Sequence, residues 1–238
     1  MNSVVLACGK GFEYLNFIIS AFCLFSLLGY GQRFEPYHSF EIGAGVTLNE
    51  TVGDAETNGH TVSPHININY NPHLYTVITA EYQVGKLKGG DSLLTQSGRQ
   101  FSNNFNAFFV KGQLQAGHIF GQSDVVLAQL VSDFYIGSGI GVIFNNIKQV
   151  SRYSHHFQDY YTGGPDKSQN LLIPLRVGYD FKVLNFYKEV IFRVDAAYQH
   201  NLMMGDGMDG FEAGSSKDIL SQFSLSIKVG LSGKRRTN

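Results

Sequence analysis

The stretch Glu189-Val190-Ile191-Phe192-Arg193-Val194-Asp195-Ala196-Ala197-Tyr198-Gln199-His200-Asn201-Leu202 decides the fold. Its odd positions (Glu189, Ile191, Arg193, Asp195, Ala197, Gln199, Asn201) hold the formal charges, and its even positions (Val190, Phe192, Val194, Ala196, Tyr198, His200, Leu202) are mostly apolar. A period of two belongs to an extended strand whose side chains leave on opposite faces. Length then separates two kinds of strand. Roughly 12 alternating residues exceed the usual ~5–6 of a soluble strand and suit a tilted strand crossing a bilayer, which needs about 9–11. On that reading the apolar face meets lipid and the charged face points into a barrel.

One such strand is a weak signal, so recurrence is the test. Ile219–Ser232 repeats the pattern, with Phe223, Leu225, Ile227 and Val229 opposite Gln222, Ser224, Ser226 and Lys228. Leu171–Val183 sets Leu171, Ile173, Leu175, Val177, Tyr179, Phe181 and Val183 against a face that carries Arg176, Asp180 and Lys182. Phe134–Phe144 places apolar side chains opposite Gly137, Gly139 and Gly141, which remove bulk from the inner face. Phe105–Gly117, Leu74–Gly85, Val62–Tyr70 and Ser39–Asn49 complete an even set of eight predicted strands.

The connections alternate as well. Asn71-Pro72-His73 and Leu184–Lys188 are short, and Pro72 suits a tight reversal. Glu50–Thr61, Lys86–Asn104, Lys148–Asn170 and Met203–Asp218 are long and polar. Transmembrane barrels have short periplasmic turns and longer outer loops, and the two sets fall on the correct sides if the chain starts in the periplasm. His118–Ser132 is the exception, an overlong periplasmic connection whose Asp124–Leu130 core is predicted to form a short helix or extend the adjoining strands.

The 238 residues, with 43% hydrophobic content, 27 glycines and a net charge of -1, suit one all-β domain and exclude a basic nucleic-acid-binding stripe. Phe17–Leu28 is an apolar run too short to span a membrane as a helix and right for a secretory signal core, followed by Gly29-Tyr30-Gly31. Residues 1–31 are therefore predicted to be a removed signal peptide and 32–238 the barrel, ending in a short basic periplasmic tail at Lys234-Arg235-Arg236. Both cysteines, Cys8 and Cys23, fall in the segment expected to be removed.

Eight alternating strands, carried most clearly by Tyr135–Gly141, Arg193–Leu202 and Phe223–Leu231, resemble the small outer-membrane barrels typified by the OmpA transmembrane domain and OmpX. The resemblance covers roughly residues 36–233 and implies an eight-stranded antiparallel up-and-down transmembrane β-barrel in the outer membrane of a Gram-negative bacterium. It implies outer-membrane lipid, lipopolysaccharide and the barrel assembly machinery as partners, and no cofactor. The chain departs from the class in continuing to Asn238 rather than ending on an aromatic residue. Such a pattern specifies fold more sharply than function.

Turning the polar faces inward gathers Glu41, Glu81, Asp180, Glu189 and Asp195 with Lys111, Arg176, Lys182, Arg193 and Lys228. An eight-stranded barrel is just wide enough for side chains to fill it, and buried charges persist there only when paired. These ten residues are predicted to form an ionic network that closes the lumen, which favours a structural or loop-recognition role over a narrow ion pathway. Lipid A deacylases are barrels of similar size with a His-x-Ser active site on the lipid-facing wall. Here the triplet is His200-Asn201-Leu202, and leucine cannot serve as nucleophile. A soluble lipocalin-like barrel is a further alternative. On the third long loop, Tyr153, His155, Phe157, Tyr160 and Tyr161 form an aromatic patch suited to surface binding; adjacent His155 and His156 are poorly placed to share a metal. Gly205–Gly210 spaces acids and glycines like a calcium loop but lacks the bidentate glutamate, so no metal site is predicted.

Overall fold

The computed structural model describes residues 37–231 apart from 56, 58, 94, 97, 121–130, 155–160, 187–189, 206 and 212–217, together with 234 and 235. Strands β2 (Phe40–Val52), β3 (Gly59–His73), β4 (Thr76–Gly90), β5 (Gln100–Gln115), β6 (Phe134–Ser151), β7 (Lys167–Leu184), β8 (Val190–Met203) and β9 (Ile219–Gly230) form a closed barrel. Every neighbouring pair is antiparallel, and β9 returns to pair with β2. A one-turn helix, α1 (Gly117–Phe120), follows β5. Two-residue strands β1 (Tyr37–His38) and β10 (Lys234–Arg235) pair with each other beside the barrel. Lys234 and Arg235 of the short basic tail therefore pair with the first strand. The signal segment 1–31 lies outside the described residues.

Barrel closure has a readable shear. A row of directly opposed residues runs Phe40, Tyr70, Ile78, Gly112, Ser138, Leu175, His200, Ser221 and back to β2 at Glu50. One circuit thus climbs ten residues along β2, from 40 to 50. Ten residues at ~3.3 Å each, on strands tilted by about 40°, give a rise of roughly 25 Å, the height of an apolar band in a transmembrane barrel. All of these residues face outward, so the row is also a scale of depth along the outer wall.

The strands are longer than their sequence periodicity suggested, at 12 to 18 residues. Alternation in the wall continues past the bilayer, where outward positions become polar (Lys86, Lys88, Asn146, Lys167), and this takes residues 86–90 and 100–104 from the second predicted loop and 148–151 and 167–170 from the third. The first reversal lies at Leu74-Tyr75, not at Asn71–His73. Pro72 lacks an N–H, so the β3–β4 register slips between Tyr70 and His73, but the strand continues through it. Two other prolines mark ladder edges: β3–β4 pairing stops at His65, next to Pro64, and β6–β7 pairing skips the positions beside Pro174.

The stretch that decided the fold contains one slip. Opposite β7 the register jumps from Val183↔Phe192 to Leu184↔Val190, so Ile191, expected inside, faces out and Val190 is buried. A bulge adds one residue and inverts the facing below it. From Phe192 to Leu202 the facing follows the expectation.

Candidate functional site: the barrel lumen and its outer wall

The polarity of this barrel is inverted relative to a soluble one. Ile136, Ile140, Val62 and Ile66 are exposed on the outside, whereas Lys111 and Asp195 are each 1% exposed inside. A lipocalin-like barrel in water would require the opposite arrangement. Aromatic pairs sit low on the outer wall, with Phe40 against Tyr70 at 5.0 Å and Tyr179 packed between Phe134 and Phe181. Tyr179, an outward residue, is buried with these two rings against it.

Inside, the lower lumen is ionic. Lys228 Nζ bridges Asp195 at 2.5 Å and Asp180 at 3.0 Å. Arg176 meets Asp195 at 3.3 Å and donates from Nε to the Tyr135 hydroxyl at 2.9 Å, while Tyr135 donates to Asp195 at 2.7 Å. Lys111 pairs with Glu81 at 2.8 Å and donates to Gln199 at 3.1 Å; Arg193 lies 3.3 Å from Glu41. Among the described residues these are four cations and four carboxylates, whose charges cancel. Of the other two expected members, Lys182 lies lower and pairs with Asp133 at 2.7 Å, while Glu189 lies outside the described residues. Lys182 is separated because its position on β7 falls at the barrel rim, two residues below Asp180 on the inward face.

Above the ions lies a girdle of amides. Gln222 donates to Asn49 at 2.8 Å and to Gln83 at 3.0 Å, and it accepts from Asn201 and Gln199. Gln83 also donates to Ser63 at 2.6 Å. Each amide has both donors and acceptors, which lets it join cations below to hydroxyls and carbonyls above.

The upper lumen is apolar, which periodicity alone did not reveal. Leu87, Phe101, Phe105, Phe109, Ile143, Ile147, Leu172, Met203 and Leu220 point inward, and Met208 and Phe211 descend among them from the fourth loop. Space for the large rings comes from glycines directly opposite: Phe101 faces Gly89, Phe105 faces Gly85, Phe109 faces Gly141, and lower down Tyr135 faces Gly178. A Cβ at Gly89 would lie 2.6 Å from the Phe101 ring, and one at Gly178 would lie 2.5 Å from the Tyr135 hydroxyl. Inward glycine beside inward aromatic is the signal that would have located this layer.

The loops cover this apolar layer. Asp209 accepts from the backbone N–H of Asp54 and Phe211, and Asp218 accepts from that of Met208. Arg99 donates to the Asp54 carbonyl and to Thr162, and Arg152 donates to the Gly164 and Gly210 carbonyls. Gly210 has φ +81°, a left-handed conformation that lets the chain turn over Ile147. Of the predicted loop patch, Tyr153 and Tyr161 are exposed with rings 5.0 Å apart across an isolated bridge. His155, Phe157 and Tyr160 lie outside the described residues, as does the Asp124–Leu130 segment.

On the outer wall, His200 has a serine neighbour that its own strand does not supply. Ser221 of β9 lies directly opposite, with its Oγ 3.2 Å from His200 Nδ1, and it accepts from the Tyr198 hydroxyl at 3.2 Å. Among the described residues Ser221 is the only hydrogen-bond partner of His200, so no carboxylate orients the ring as a general base requires. Among the described residues no cluster of three metal-ligating side chains occurs.

These features define the class: the chain is an integral outer-membrane β-barrel of the small eight-stranded type. No protein-family model matches it, and no curated protein matches it. Solved structures similar to it include Neisserial surface protein A, at 12% identity over 81% of this chain and 97% of that one, with a TM-score of 0.45. Another is Ail, the attachment invasion locus protein of Yersinia pestis, in complex with the heparin analogue sucrose octasulfate: 9% identity, 80% and 96% coverage, TM-score 0.42. A third is the outer membrane protein OprG from Pseudomonas aeruginosa, at 11% identity, 83% and 98% coverage and TM-score 0.38. The membrane assignment rests on the barrel's own polarity, height and closure.

Proposed function

We propose that this barrel is a non-enzymatic, non-conducting wall protein that anchors a rigid set of surface loops in the outer membrane. The observation that carries this reading is the filling of the lumen by two stacked layers, a neutral ionic and amide layer below and an apolar layer above. A channel needs a continuous wet path, and buried side chains occupy both halves of this one. The loop ties through Asp209, Asp218, Arg99 and Arg152 support a fixed outer surface, on which the Tyr153–Tyr161 pair offers an aromatic contact. Outer-membrane lipid, lipopolysaccharide and the barrel assembly machinery are the partners of this reading, with an external ligand for the loops.

Planar-bilayer recording on the refolded barrel tests it. The expected trace has no discrete steps at neutral pH, and expression is expected to leave the mass of lipid A unchanged. Reproducible single-channel steps would establish the channel alternative, and loss of an acyl chain from lipid A would establish the enzyme.

A further inference from the structure

Above the apolar band the outer wall carries its cations on one side. Lys86 and Lys88 of β4, Lys148 of β6 and Lys167 of β7 are exposed and point outward, whereas the outward positions of β2, β3, β8 and β9 hold no lysine or arginine. None of the four has an ion-pair partner among the described residues; Asp166, beside Lys167 in sequence, pairs with Arg152. Register sets the wall beneath them in rows of directly opposed residues. Tyr82, Phe108, Val142 and Leu171 face lipid; two residues higher come Val84, Asn106, Phe144 and Gln169, and two higher still Lys86, Asn104, Asn146 and Lys167. Lys88 stands above Lys86, and Lys148 above Asn146. The wall thus turns from apolar to cationic within four residues, with lysines at both ends of the top row and amides between them.

Depth narrows what such a row can meet. Each step from strand to strand along a row climbs about 3 Å, for a ~4.8 Å spacing and a tilt of about 40°, so Lys167 stands roughly 9 Å above Lys86. Side chains leaving a lipid-facing wall at this level enter the headgroup layer, where the partner of an ammonium group is phosphate. A plain phospholipid headgroup layer is only about 5–8 Å deep, too thin to reach both ends of the row. A sugar headgroup with a phosphate at each end spans it, and its hydroxyls and amides suit Asn104 and Asn146 between.

We propose that the β4–β7 side of the outer rim binds one outer-leaflet glycolipid that carries two phosphates, one held by Lys86 and Lys88 and the other by Lys148 and Lys167. This rests on the lipid partner of the reading above and names its contact. A barrel that conducts no ions yet shows no preference for a second phosphate would refute this contact and leave that reading standing.

Native mass spectrometry of the intact barrel in mild detergent, titrated separately with bisphosphorylated lipid A, monophosphorylated lipid A and phosphatidylglycerol, tests it. One retained bisphosphorylated lipid A is expected, held about tenfold tighter than the monophosphorylated form, equivalent to ~1.4 kcal/mol, with phosphatidylglycerol weaker than both. Lys86→Gln with Lys88→Gln, and separately Lys148→Gln with Lys167→Gln, remove one end of the row each. These are surface changes, so both variants should keep their heat-dependent gel mobility, and each should bind the two forms of lipid A alike. Arginine at the same positions should keep the preference. Equal retention of the two forms by the unaltered barrel, or an undiminished preference in both glutamine variants, would overturn the proposal. So would phosphatidylglycerol matching bisphosphorylated lipid A, which would reduce the lysines to a general positive charge.

Discussion

The lower and upper halves of the lumen are both closed, by opposite physics. Below, Lys228 is held between Asp180 and Asp195, and each group is tolerated only because its partners are present. Above, Phe105, Phe109, Ile143 and Met208 fill space and need no particular partner. Damage below should therefore be abrupt and should depend on which partner is left, whereas damage above should scale with the volume removed. Ionic closure fixes a unique arrangement, and apolar closure supplies a dry cover beneath the loops.

The largest effect is expected from Lys228→Met, which leaves two carboxylates facing each other without their amine. It should cost about 3–5 kcal/mol, read from urea titration of the barrel refolded into lipid vesicles. Adding Asp180→Asn should recover part of that loss, since the two changes share one network; simple additivity would show that the pairing is not what matters.

A charge on the other face of the same wall sharpens the contrast. Leu225 is exposed to lipid four residues along β9 from Ser221, at about half the height of the spiral. Leu225→Arg should cost about 2–4 kcal/mol in the same titration. Val194 lies nearer the lower rim, six residues below His200 on β8, so Val194→Arg should cost less than Leu225→Arg. Equal costs would mean that the depth scale is wrong.

In the upper layer, Ile143→Val removes one methylene's worth of packing and should cost only about 0.5–1.5 kcal/mol. The smallest effect concerns conductance. Phe101, Phe105 and Phe109 replaced together by alanine should still yield no channel steps, because the ionic layer beneath remains closed. Steps from this variant would place the seal in the apolar layer alone.

Strand number, antiparallel order and most facings were legible because period-two alternation is local and repeats. The inward facing of Arg176 with Asp180, of Arg193 with Asp195, and of Lys228 was legible from the same alternation, which sets each charge opposite a row of apolar residues. Partner choice was not, since Tyr135 and Gln199 are drawn in by register across several strands. The apolar layer escaped because Phe105 and Phe109 are as apolar as the outward residues beside them; only the glycines opposite, Gly85 and Gly141, distinguish inside from outside. Ser221 escaped as a neighbour of His200 because the pair spans two strands. The slip at Ile191 was invisible because valine, isoleucine and phenylalanine follow one another there, and hydrophobicity cannot choose a facing.

A single cysteine at Ser226 tests lumen closure most directly. Ser226 is 2% exposed in the lower lumen, between the strands that carry Asp195 and Glu41, and its hydroxyl has no hydrogen-bond partner among the described residues, so a thiol should replace it at little cost. With Cys8 and Cys23 replaced, the folded barrel carrying Ser226→Cys should resist a small charged thiol reagent supplied from both sides of the membrane and react fully once unfolded. Prompt modification of the folded barrel would mean a wet, open lumen and would contradict the account.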